Sequence, residues 1–275
     1  MTLGSERLPA GAKRVLSAVV AIPLFAWLVS RGPAWLFVGF VLAVGAAALW
    51  ELMRMFEGAG QTTYARLGVP LVVLVMASFA VPASPAVPAV VLSLAVAVLL
   101  SAPVWSGRAP ATEPAALTLL GVLYIGWFLG HILALQQLAE GSALILVLAG
   151  VTWIGESAAY IVGSAVGRHK LAPVISPGKT VEGAAAQLLG SVGGALVLTA
   201  WLNLEWSVAQ RLLAGALLGV TGQVGDLAES GMKRAVGVKD AGGLIPGHGG
   251  VLDRLDGLLF NVPAFYYYVT LGGVR

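Results

Sequence analysis

Apolar residues fill nine long runs along the chain, and the short segments between them hold nearly all of its charged side chains. The runs cover about residues 15–30, 34–50, 67–81, 86–104, 115–136, 142–162, 184–201, 212–225 and 258–271. A helix rises 1.5 Å per residue and a bilayer's hydrocarbon core is about 30 Å thick, so about 20 mainly apolar residues cross it. The pattern therefore predicts an all-α, polytopic integral membrane bundle of about nine transmembrane helices. Pro70, Pro82 and Pro88 blur the third and fourth runs. Arg7, Lys13 and Arg14 precede the first run as they would a signal peptide, but no small-residue cleavage pattern follows before Arg31 and Pro33, so it reads as a span.

Lys and Arg favour the cytoplasmic side of a membrane. With the N-terminus inside, the inner segments hold Arg7, Lys13, Arg14, Arg54, Arg66, Arg108, Arg168, Lys170, Lys179, Lys233, Arg234, Lys239 and Arg254, and the outer ones only Arg31, Arg211 and Arg275. An error of one span in mid-chain would scramble this segregation, so the charges support an even number of crossings before each inner loop and a cytoplasmic N-terminus. Trp35, Trp50, Trp105 and Trp201 stand at run ends, where an amphipathic ring suits the headgroup level. Glycine pairs at Gly126/Gly130, Gly163/Gly167, Gly190/Gly194 and Gly215/Gly219 would let helices approach closely. There is no internal repeat and no separate soluble domain. Residues 1–140 read as an N-terminal transmembrane region and 141–275 as the C-terminal catalytic part of one continuous membrane domain.

Composition narrows the function classes. Charged residues make up 11% of the 275 and hydrophobic ones 58%, where a soluble domain carries roughly 25% charged residues. Ordinary soluble enzymes, disordered tails and nucleic-acid-binding domains are excluded, and the net charge of +3 reflects inner-loop charges rather than a nucleic-acid partner. The absence of cysteine excludes disulfides and thiolate metal sites.

The charges are concentrated. Nine lie between Asp226 and Asp256, and a second cluster from Glu156 to Glu182 adds Arg168, Lys170 and Lys179, with His169 beside them. If the eighth run continues as a helix into the inner loop, Asp226, Ser230, Lys233 and Gly237 share one face at 100° per residue, a stripe suited to a metal phosphate. Residues 240–250 follow with five glycines and His248; such a loop is either a turn or a place where backbone N–H groups approach an anion. Asp253 and Asp256 open the last run with Arg254 between them, two carboxylates at i and i+3 on one helical face. Asp226 and Asp253, brought together, would suit Mg²⁺, which takes oxygen ligands and often bridges carboxylates to substrate phosphates. A carboxylate at the edge of a membrane helix is costly and usually functional. Gly178, Lys179 and Thr180 imitate the end of a P-loop, but Pro173 stands where that loop needs glycine.

The segment Ser230, Lys233, Arg234, Lys239, Asp240, His248, Gly249, Gly250, Asp253, Arg254, Asp256 resembles the signature of the phosphatidate cytidylyltransferases, also called CDP-diacylglycerol synthases. The stretch from His169 through Ser176, Lys179 and Thr180 to Glu182 looks like the same family's second block. Together they cover about a quarter of the chain. One departure is visible: the family usually has Asp where Glu156 stands, ahead of Ser157 and Tyr160, so this carboxylate reaches one methylene further.

The resemblance implies Mg²⁺-dependent attack of a phosphatidate oxygen on the α-phosphorus of CTP, giving CDP-diacylglycerol and pyrophosphate. On that reading Asp226 and Asp253 hold metal, supported by Asp256 and Ser230. Lys179, Lys233, Arg234, Lys239 and Arg254 bind phosphates. His248, Gly249 and Gly250 line the nucleotide side, and Glu156, Tyr160, Ser176, Thr180 and Asp240 complete the site. The expected setting is a bacterial inner membrane with the site facing the cytoplasm. The partners are CTP, phosphatidate and the bilayer, and a homodimer is compatible with the sequence. The alternatives are a related transferase acting on an ether-lipid or isoprenoid phosphate, and a transporter, which the one-sided charge disfavours.

Overall fold

Each apolar run becomes one helix in the computed structural model, which describes residues 10–81, 84, 86–106, 112–244 and 249–272, with side chains from residue 19 onward. His248, Arg7, Arg108 and Arg275, and the side chains of Lys13 and Arg14, lie outside the described residues. The helices are α1 (Ala10–Ser30), α2 (Ala34–Gly58), α3 (Ala65–Ser78), α4 (Ala86–Ser106), α5 (Glu113–Gln136), α6 (Gly141–Val166), α7 (Val181–Trp201), α8 (Val208–Ala235) and α9 (Asp256–Leu271). Helix α5 is wound as a π-helix over Val122–Trp127. Between α6 and α7 stands an antiparallel hairpin of β1 (Lys170–Ala172) and β2 (Ser176–Thr180), pairing Lys170 with Thr180 and Ala172 with Ser176. Among the described residues the protein is a helical membrane protein with this one hairpin.

Five helices, α2, α4, α5, α6 and α7, are long and apolar enough to cross a membrane by length and composition. Helix α3 has 14 residues, roughly 21 Å at 1.5 Å each, shorter than the hydrocarbon core. Helix α2 continues beyond Trp50, where its apolar run ends, because Leu52, Met53, Met55 and Phe56 extend its buried face. The 140/141 boundary falls in the turn between α5 and α6. Exposed Trp35, Trp105 and Trp201 sit at helix ends, the expected belt positions, and the outer surface is rich in Val and Leu, as a lipid-facing surface requires.

Local signals set the ends that matter. Ser207 and Gln210 form a reciprocal capping box at the start of α8. Thr180 caps α7 by accepting from the Gly183 amide at 3.1 Å. The C-terminal helices then pack through small residues. Gly215 and Gly219 of α8 lie against the α7 backbone at Val192 and Leu188, and Gly225 lies against the Asp256 carbonyl and Phe260 of α9. Under the polar site, Asn261 donates to Thr152 at 2.8 Å and accepts from Thr221, joining α6, α8 and α9.

The Gly215 contact is testable. A methyl group there would overlap α7 backbone, whereas Gly193 has nothing within 4 Å of its would-be side chain. Gly215→Ala is expected to lower the melting temperature in detergent by an overpacking cost of about 1–3 kcal/mol. Gly193→Ala should be neutral or raise it, since alanine is the better helix former.

Candidate functional site

The hairpin places Lys179 against α8, and its ammonium lies 2.5 Å from the Asp226 carboxylate. That contact joins the two charged clusters. Both line a cavity of about 470 Å³ together with Glu156, Tyr160, Ser176 and Thr180. Its walls come from α6, β2, α7 and α8, so residues 70 positions apart in sequence share one polar recess. The hairpin is braced from outside. Glu182, in the first turn of α7, accepts the Arg168 amide at 3.1 Å and His169 Nδ1 at 2.7 Å. Arg234, at the end of α8, donates to the carbonyls of Ile175 and Val238, at 3.3 and 2.8 Å.

A second ion-pair group lies one to two turns further along α8. Lys233 Nζ is 3.1 Å from Glu229 and 2.8 Å from Asp253. Glu229 is 1% exposed, and among the described residues neither of its carboxylate oxygens meets a hydrogen-bond donor other than this ammonium. Asp253 is also held by the amides of Ala241 at 3.2 Å and Gly250 at 3.0 Å. Partial burial alone would raise its carboxyl, but Lys233 and the Gly250 and Ala241 amides outweigh that and hold it below the usual carboxylate range.

Helix α8 runs through Ser230, which is buried, and Lys233, but it ends at Ala235, so Gly237, at φ +75°, falls outside the expected stripe. The expected single face for Asp253 and Asp256 is not formed. A 3₁₀ turn over Leu252–Arg254 ends at Leu255, and α9 begins at Asp256. Asp253 therefore turns to Lys233 and the loop, while Asp256 accepts from the Gly257 amide at 2.8 Å and lies within electrostatic reach of Asp226 and Glu156. Lys239, Asp240 and Arg254 are exposed, and Tyr160, in the cavity wall, is 75% exposed. Gly249 adopts φ +84°, a conformation glycine takes without strain.

Two carboxylates and one hydroxyl in this region were not singled out from the sequence. Glu229 follows Asp226 by three residues on the same helix face and precedes Lys233 by four, so helical periodicity alone marks it. Glu51 is 3% exposed in α2 and accepts from the Leu244 and Leu252 amides at 3.2 and 3.0 Å; an acidic residue just past the end of an apolar run carries the same signal as Asp226. Tyr124 stands in the π-helical turn of α5, 6% exposed, its hydroxyl without a hydrogen-bond partner among the described residues and within electrostatic reach of Glu229, Asp256 and Asp226. A π-turn is common at functional sites, but nothing in the residue types reveals it.

Among the described residues the five carboxylates of Glu156, Asp226, Glu229, Asp253 and Asp256 outnumber the nearby cations Lys179, Lys233 and Arg254. Oxygen donors in excess of their cations fit a hard divalent ion. Among the described residues no three acidic or histidine side chains already converge on one point.

A phosphatidate cytidylyltransferase of Staphylococcus aureus is 33% identical over 257 residues, 91% of this chain and 95% of that protein. One from Staphylococcus epidermidis is 42% identical over 149 residues, 54% of this chain. That alignment spans 56% of the relative's own length, so the chain matches about half of it. The sequence profile of the cytidylyltransferase family matches residues 12–271, and the chain belongs to that family.

Proposed function

We propose that the protein transfers the cytidylyl group of CTP to phosphatidate, releasing pyrophosphate and forming CDP-diacylglycerol. The observation that carries this reading is the Lys179–Asp226 contact, which closes a polar recess at the edge of an apolar bundle, where a charged nucleotide and a lipid headgroup can both arrive. The names of the staphylococcal relatives point the same way. The segregation of Lys and Arg supports a cytoplasmic N-terminus and a site facing the cytoplasm, in a bacterial inner membrane.

In this reaction an acceptor phosphate oxygen bonds to the α-phosphorus of CTP as the bond to the bridging oxygen breaks, and that oxygen's electron pair leaves with pyrophosphate. The acceptor monoester is already largely deprotonated near neutral pH, so no strong general base is required. The obstacle is the meeting of two anions. Lys179 and Lys233 offset that repulsion when phosphates displace their present carboxylate partners, and the exposed Arg254 and Lys239 would hold the leaving phosphates. Asp226 and Asp256, with Asp253 once phosphate has displaced it from Lys233, would hold Mg²⁺, which when bound supplies further neutralisation of phosphate charge. Glu156 and Tyr160 line the wall through which the acceptor enters from α6.

Purified protein in detergent, given labelled CTP, phosphatidate and MgCl₂, is expected to form a labelled CDP-lipid only when all three are present. Product formed equally well without phosphatidate, or better with an isoprenoid phosphate, would overturn the acceptor assignment.

A further inference from the structure

The glycine-rich loop is gripped by two carboxylates from opposite ends of the chain. Asp253 receives the amides of Ala241 and Gly250. Glu51, on α2, receives the amides of Leu244 and Leu252. Each carboxylate thus takes one amide from either side of the loop, and the two grips are interleaved along the backbone. The glycines make this possible. A Cβ at Gly242 would overlap the Glu51 carboxylate, and one at Gly250 would crowd both Glu51 and Asp253. These two glycines are explained by the approach of protein carboxylates, independently of any bound anion.

Glu51 cannot readily let go sideways. Its helix neighbours Leu49, Leu52 and Met53 are fully buried, so the carboxylate stands on a rigid floor beneath the loop. A buried carboxylate whose amide donors were removed would be left with uncompensated charge, and without Glu51 the Leu252 amide would be buried and unpaired. Both halves of the contact therefore hold the two described ends of the loop at one separation.

We propose that Glu51 is a positioning residue for nucleotide binding: it fixes the spacing of the two loop ends, and through them the direction in which Asp253 and Lys233 face the site. The proposal rests on the CTP reading given above, with the loop on the nucleotide side and the α6 wall on the acceptor side. It makes the nucleotide site dependent on a residue of the N-terminal helices, outside both charged clusters.

The test uses the full chain in lipid nanodiscs, with Glu51→Ala and Glu51→Gln. Backbone amide exchange at Leu244 and Leu252 is measured first, without substrate. In Glu51→Ala both amides should exchange at least about tenfold faster, the loss of a charge-assisted hydrogen bond at each. In Glu51→Gln, whose one remaining carbonyl-type oxygen can accept while its NH₂ opposes a donor, a single amide should stay protected. Steady-state kinetics should then show KM for CTP raised about tenfold or more in Glu51→Ala, KM for phosphatidate changed by less than about twofold, and Glu51→Gln lying between wild type and Ala. Unchanged exchange at both amides in a folded Glu51→Ala protein would overturn the clamp. Equal rises in both KM values would overturn its role in nucleotide binding. If wild-type protein makes no CDP-lipid, the CTP reading fails, while the exchange measurement still decides whether Glu51 holds the loop.

Discussion

Asp226→Asn is expected to lower kcat/KM for CTP by about 10²- to 10³-fold, the scale seen when one preorganised electrostatic partner is lost from a reaction centre, with little change in melting temperature. The substitution keeps the shape of the side chain and removes its charge. Two consequences follow at once. Lys179 loses the anion that aims it across the recess from β2, and the carboxylate group that includes Asp256 and Glu156 loses the member best placed on α8. Because Asp226 is only partly buried, the group left behind is the buried Lys179 ammonium, from whose hydrogens the asparagine oxygen still accepts, so stability should fall far less than activity. Labelled-CTP turnover and a melting curve on the same preparation check this. Wild-type turnover in the Asn variant would remove Asp226 from the site.

Lys233→Met is expected to have the opposite balance, with a large loss of stability whatever the substrate. Lys233 is the cation shared by Glu229 and Asp253, and its own side chain is 12% exposed. Removing one partner of a buried ion pair costs about 3–5 kcal/mol, because the remaining charge stays buried without compensation. Here the stranded group is Glu229, and methionine replaces the stem of the lysine without its charge. Adding Glu229→Gln to Lys233→Met should recover part of the loss. Melting temperatures of the two variants in one detergent decide it, and equal values would show that Glu229 is not the stranded charge. The Asp253 contribution adds a pH signature. Its carboxyl is held below the ordinary range, so its stabilising contacts are fully present above that range and are lost as pH falls through the depressed value. Lys233→Met should shift that loss toward higher pH.

The helices were legible because lipid-facing and core-facing positions are both apolar, so each run of side chains announces one element. The ends were less so. Glu51, Arg54 and Glu57 close the apolar run at Trp50, yet α2 continues to Gly58 because Leu52, Met53, Met55 and Phe56 still face the core. The hairpin of Lys170–Thr180 was invisible, since Pro173, Pro177 and Gly178 break any strand alternation and its order comes from Glu182, Thr180 and Arg234. Within the candidate site, Asp226, Lys179, Lys233 and Asp253 stood out as charges clustered in an oily chain. Their pairing did not, because which carboxylate meets which ammonium depends on how far the 3₁₀ turn at Leu252–Arg254 rotates Asp253 away from Asp256. The partnership of Glu51 with the glycine loop depends on the folded arrangement of α2 against that turn, which no local pattern encodes.

The hydrogen bonds of Glu51 span 193 and 201 positions of sequence, and this has a consequence for biosynthesis. At about 5–20 residues per second, the ribosome delivers the amides of Leu244 and Leu252 roughly 10–40 s after Glu51 has emerged. During that interval α2 must enter the membrane with a carboxylate whose eventual donors do not yet exist, at an insertion cost of about 2.5–3.5 kcal/mol if it sits near the bilayer centre. Its place just past the end of an apolar stretch lets the nascent helix keep that group in water until the last quarter of the polypeptide arrives. Translation arrested before Leu244 would thus leave the early helices inserted with the Glu51 region loose and open to proteolysis.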